Sequence, residues 1–189
     1  MILPKVRDPR LVTIRRGGLL TDPDHHLLAL WAAACAEHVL DLFEAECPGD
    51  LRPRHAIAGA RAWAAGELAM MRSRAAGGHA MGAARPLSGA ARFAAYAAGQ
   101  AACIPHVPEH DLGAAAYAIK AAQAAAAAGD DGEAAARREC QWQLDQLPDP
   151  IRALVLDDQA RRNPICWSVF TEPGPLAAGP THPSGGLQR

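Results

Sequence analysis

The chain has 189 residues, room for one domain of ordinary size and too little for two comfortable ones. Alanine fills 44 positions within a hydrophobic share of 50%, so few large side chains are left to anchor a core. Charged residues are 21% of the chain and nearly cancel at net −1, which argues against a general nucleic-acid coat. No apolar run approaches the ~20 residues of a membrane span, and the start, Met1 to Asp8, lacks the apolar stretch of a secretory signal. We therefore expect a cytoplasmic chain with neither a membrane nor nucleic acid as direct partner.

Alanine is the strongest helix former, so the composition leans helical before any pattern is read. Residues 1–20 read as an N-terminal arm, and Leu11-Val12-Thr13-Ile14 there is the one run that could form a short strand. Thr21-Asp22-Pro23-Asp24 is a helix start, with capping oxygens, a proline suited to the first turn and acids at the positive helix end. The spacing predicts a first helix to about Glu46, burying Leu28, Trp31, Cys35, Val39 and Leu42. A second is expected from Pro53 to Gly66, with Ile57 and Ala60 inward. A third covers Glu67 to about Arg85, weakened by Gly77, Gly78 and Gly82 at roughly 1 kcal/mol each relative to alanine. Further helices are expected at Ser88–Ile104, Pro108–Ala128, Glu133–Leu147 and from Asp149-Pro150 to Asn163. Ile165 to Phe170 forms a last apolar segment that should bury. From Thr171 the chain is rich in proline and glycine and reads as a disordered tail, residues 171–189. The expected fold is all-α: about seven helices over residues 21–170, in one antiparallel bundle or a stacked array of helical hairpins.

The near-zero charge hides segregation. Residues 1–16 carry +4, residues 22–50 carry −7 with no lysine or arginine, and residues 51–100 carry +6. Within the acidic block Glu37, Asp41 and Glu44 repeat at helical spacing as one row. Such a row either faces a partner or pairs with the arginines that follow, including Arg54, Arg61, Arg72 and Arg74. The five cysteines are odd in number, with no Cys-x-x-Cys spacing, so buried free thiols are expected rather than disulfides or a zinc site.

Motifs for catalysis are sparse. No phosphate loop, dinucleotide fingerprint or nucleophile elbow is present. His106 and His110 have the i, i+4 spacing of paired metal ligands, but Pro105 and Pro108 interrupt the helix there and no glutamate stands directly after His106 as in His-Glu-x-x-His. They are weak metal candidates, and we expect no metal and no cofactor. His25-His26, in a helix first turn, reads as solvated surface. Asp157-Asp158 reads as a solvated helix face, because adjacent helical residues point about 100° apart.

Several stretches resemble the Imm-5-like immunity proteins of bacterial polymorphic toxin systems. They include Asp24-His25-His26-Leu27-Leu28-Ala29-Leu30-Trp31, Ala36-Glu37-His38-Val39-Leu40, Arg52-Pro53-Arg54, Ala60-Arg61-Ala62-Trp63 and Gly66-Glu67. Ala90-Ala91-Arg92, Ala97-Ala98-Gly99 and His106 with His110 ahead of Ala114-Ala115-Ala116-Tyr117-Ala118 continue it. Leu147-Pro148, Leu154-Val155-Leu156 and Arg162-Asn163 through Cys166-Trp167 close it, so it spans about residues 7–170. The resemblance implies a small non-enzymatic protein that binds and neutralises a cognate toxin domain, for instance a nuclease, and carries over no catalytic residue. An acidic row such as Glu37, Asp41 and Glu44 would suit a basic nuclease cleft. Two other readings stay open: a helical interaction scaffold or homo-oligomer, and a metal-dependent hydrolase built on His106, His110 and a third ligand.

Overall fold

The structure, a computed structural model, describes residues 3–126 and 131–171. Eight α-helices occur among them, and no strand: α1 (Asp22–His38), α2 (Leu40–Glu46), α3 (Arg52–Ala64), α4 (Met70–Ala84), α5 (Gly89–Ala101), α6 (Asp111–Ala125), α7 (Gly132–Asp145) and α8 (Asp149–Arg162). The expected tail lies, apart from Thr171, outside the described residues.

Local chemistry sets the helix ends. The Thr21 hydroxyl accepts from the Asp24 amide and donates to the Asp24 carboxylate, capping α1. The expected single first helix is broken at Val39, where φ −115° and ψ 9° leave the helical region, and α1 and α2 meet at a bend of 44°. The bend lets Phe43 join the core, fully buried, while Leu42 is only half-buried. Leu28, Trp31, Cys35 and Val39 are buried as the spacing predicts. Asp149 is the first residue of α8, where its carboxylate faces the positive helix end.

In place of a strand at Leu11–Ile14 the arm forms two 3-10 turns, Pro9–Leu11 and Ile14–Arg16, with one isolated bridge from Thr13 to Leu20. Leu11 and Leu20 are buried in the common core, so the arm is packed rather than free.

Packing is most extensive between α5 and α6, and chain neighbours α3 with α4, α4 with α5 and α6 with α7 also pair; α1 lies against α3, α5 and α6. Alanine faces allow close approach of helix axes. At the α4–α5 crossing two glycines meet: a Cβ on Gly77 would sit 2.6 Å from the Gly99 carbonyl oxygen and 2.9 Å from Cys103 Sγ. One turn earlier the buried Ser73 hydroxyl donates to the Ala102 carbonyl at 2.9 Å. Gly77, which read as a weakness in the third helix, is thus what permits this contact.

Trp31 supplies the largest fully buried side chain, and its indole N–H donates to the Gln143 carbonyl of α7 at 2.9 Å. All five cysteines are free: Cys35, Cys103, Cys140 and Cys166 are buried and Cys47 is partly exposed. Burial pushes the Cys166 thiol up to about 12 and raises Cys35 and Cys103 as well. No single helix among the described residues is long and apolar enough to cross a membrane.

Candidate partner-binding surfaces

The acidic row straddles the bend, with Glu37 in the last turn of α1 and Asp41 and Glu44 on α2. Two of its members are held by the arginine block. Arg61 donates to both Glu37 oxygens at 2.7 and 2.6 Å, and Arg54 to both Glu44 oxygens at 2.7 and 2.6 Å. The Arg61 hydrogen bonds hold the Glu37 carboxyl below its ordinary range. Asp41 is exposed and has no ion pair among the described residues. Between the two ion pairs lies a groove of about 420 Å³, with Leu40, Ile57 and Ala58 among its lining. The row is therefore a paired, mostly neutralised rim over an apolar floor. Arg72 and Arg74 do not reach it with an ion pair.

His106 and His110 do not lie on one continuous helix. His106 is in the turn after α5, and His110 ends the 3-10 turn Pro108–His110. His110 Nδ1 lies 2.6 Å from Gln100 Oε1, an oxygen that can only accept, so Nδ1 carries the proton. Burial pushes His110 down to about 4. His106 Nδ1 is buried without a hydrogen-bond partner. No group of three or more His, Cys, Asp or Glu among the described residues is arranged to hold a metal ion. His25, expected at the surface, is buried: its Nε2 pairs with the Ile104 carbonyl at 2.9 Å and its ring stands edge-on to Trp63. The i to i+4 spacing of His25 and Ala29 on a helix apolar nearly all round was the available sign.

Asp158 also departs from expectation. Asp157 is exposed, but Asp158 is 1% exposed and pairs with Arg162. Arg162 further donates to Asp111 Oδ1 at 2.9 Å and to the Glu109 carbonyl at 2.8 Å. The buried Glu109 carboxylate accepts from Arg7 at 2.7 and 2.6 Å, and Arg10 pairs with Asp157. This network fastens the arm, the start of α6 and α8 together. Its role is structural, and the two adjacent carboxylates form no acid–base dyad.

One surface has no counterpart in the sequence reading. Four of the nine aromatic residues gather around Tyr117 of α6: Tyr96 stacks on it at 5.1 Å, Trp167 meets it edge-on at 5.0 Å and Phe93 lies at 6.3 Å. Arg92 lies over the Tyr96 ring at 5.4 Å and Lys120 over Phe93 at 6.0 Å, geometries that favour cation–π attraction. Neither cation has an ion pair among the described residues. Trp167, 47% exposed, sits on a clamped loop. Asn163 donates to the Phe170 carbonyl at 2.8 Å and accepts from the Phe170 amide at 3.0 Å. Inside that loop Trp167 and Ser168 take φ of 58° and 54°, the only positive values at non-glycine residues among those described. Cys166 and Phe170 are buried on either side, so the final apolar segment buries in part and holds Trp167 out. Local spacing carries only the Arg92 to Tyr96 pair; the Lys120 to Phe93 contact and the stacking on Tyr117 join segments distant in sequence.

The fold places the chain among all-helical proteins. Within that class, residues 18–150 match the family described as Imm-5 like putative immunity protein. That is more than half of the chain, and the chain belongs to this family. The match ends at Pro150, short of the loop that carries Trp167, whereas the sequence resemblance runs to about residue 170. No curated protein and no solved structure matches the chain.

Proposed function

We propose that the protein is an immunity protein that binds a cognate toxin domain and neutralises it by occupying the toxin's surface, without catalysing a reaction. The observation that carries this reading is membership of an immunity-protein family over residues 18–150. Exposed ion pairs over an apolar floor, and a half-exposed aromatic cluster whose cations Arg92 and Lys120 hydrogen-bond only to neutral oxygens among the described residues, are surfaces suited to protein contact. A nuclease is the toxin class that the Glu37–Asp41–Glu44 row would suit, acting in the same cytoplasm. Because Arg61 and Arg54 already hold Glu37 and Glu44, the row's attraction for such a cleft rests on Asp41. Pairwise packing of chain neighbours supports a stacked array of helical hairpins as the scaffold.

Co-production of this chain with each toxin candidate found among the products of the genes flanking its own tests the reading. Growth should be restored for one of them, and the two purified proteins should form a stable complex. Unrelieved toxicity from all of them, with no complex between the purified proteins, would overturn it.

A further inference from the structure

We infer that the aromatic face formed by α5, α6 and the loop 163–170 is the toxin-docking surface, and that it receives an acidic segment presenting an apolar side chain. This rests on the proposed immunity function and adds the site and the partner's chemistry.

Three observations converge. The first is composition. Tryptophan, tyrosine and arginine are the residues that dominate binding energy at protein interfaces, and Tyr96, Tyr117, Trp167 and Arg92 are brought together here from three separate segments. Four aromatic residues of nine in one half-exposed cluster is a large share in a chain that is 5% aromatic.

The second is rigidity. Two consecutive non-glycine residues in the left-handed region carry a conformational cost, and the Asn163–Phe170 clamp holds them there. The outcome is a tryptophan fixed outside the core against Tyr117. A ring held in place before contact loses little further freedom on binding.

The third is charge. Arg92 and Lys120 flank the rings with no carboxylate partner among the described residues. Among the described residues one acid lines the adjoining groove, the exposed Glu133, which shares Arg137 with Asp131 at 3.5 and 3.1 Å. That groove, about 250 Å³ beside Trp167 and Lys120, has room for one apolar side chain. An incoming segment that places an aliphatic or aromatic group there and carboxylates beside it would satisfy both cations. The acidic row has the opposite balance, since two of its three charges are already neutralised.

The test uses the full-length protein and the purified toxin candidates from the genes flanking its own. Trp167→Ala, and separately Arg92→Glu with Lys120→Glu, should each weaken binding at least tenfold while the free variant keeps the wild-type circular dichroism spectrum and a cooperative thermal transition. Wild-type affinity should fall as salt is raised, and the Arg92→Glu, Lys120→Glu variant should lose that dependence. Wild-type binding with both variants within twofold of it would overturn the inference and leave the immunity function standing. Failure of every candidate to bind wild type would remove the proposed function and the inference with it. A dimer of this chain that dissociates on Trp167→Ala, with toxin binding intact, would identify the face as a self-interface and overturn the inference.

Discussion

Arg162 and Asp111 are 51 positions apart in sequence and 2.9 Å apart in space, both buried. Asp111 is the first residue of α6, and its Oδ1 also accepts from the Leu112 amide at 2.6 Å. Its Oδ2 is buried with no partner. Burial away from water, reinforced by the negative charge of Asp158, raises Asp111 above the ordinary carboxylate range despite Arg162.

That shift and its neighbour's predict opposite pH dependences. In the folded chain Asp111 ionises well above the ordinary carboxylate range, because burial and Asp158 disfavour its charge, and in an unfolded one near 3.9. Between those values the folded state holds the extra proton, so this group's contribution to stability falls as pH rises. His110 titrates near 4 when folded and near 6.5 when unfolded. There the unfolded state holds the extra proton, and stability falls as pH drops. Each effect reaches at most about 1.4 kcal/mol per pH unit. Relative to wild type, Asp111→Asn should therefore gain stability as pH rises from 4.5 to 6.5, and His110→Gln should lose it. Urea unfolding at three pH values measures both, and slopes of the same sign would contradict the assignment.

The α4–α5 crossing makes adjacent glycines respond oppositely to one substitution. Gly77→Ala forces a methyl against the Gly99 carbonyl and Cys103, and such overpacking costs about 1–3 kcal/mol. A Cβ on Gly78 meets nothing within 4 Å, so Gly78→Ala should stabilise the helix by up to about 1 kcal/mol. Thermal melts of the two variants should move in opposite directions.

Trp31→Ala should cost about 3–5 kcal/mol, the range for deleting a large buried aromatic. It also leaves the Gln143 carbonyl without its donor. Chemical denaturation that shows less than 1 kcal/mol of loss would mean that α1 does not pack on α7 through this ring.

Changing Glu37, Asp41 and Glu44 together to lysine sets like charges against Arg61 and Arg54. Both pairs are substantially exposed, so the loss should stay near 0.2–1 kcal/mol for each pair. Stability unchanged within error would mean that the ion pairs contribute nothing in solution.

Helix positions were largely readable from the sequence because prolines, caps and alanine runs act within a few residues. Thr21-Asp22-Pro23, Pro53 and Asp149-Pro150 each stand at a helix start. The bend at Val39 carries no glycine or proline to announce it, so the acidic row looked continuous. Asp158 has its partner Arg162 one turn on in the same helix, a spacing the sequence did offer, but Asp111 beside Arg162 and Ile104 beside His25 are brought near only by the tertiary fold, so both residues looked solvated. The aromatic face was hidden for the same reason, since Tyr96, Tyr117 and Trp167 sit on three segments.

The distribution of thiols has a practical consequence. Four of the five cysteines are sealed in the core and only Cys47, between α2 and α3, is partly exposed. The unmodified protein thus comes with one preferred labelling handle, a few residues from Glu44 and Arg54 and on different elements from Trp167. A fluorophore attached there would report contact at the paired acidic rim through its own environment. Trp167 is one of four tryptophans, so the emission change that a Trp167→Phe variant lacks would report contact at the aromatic face, and parallel titrations of the two proteins would distinguish which side meets the partner.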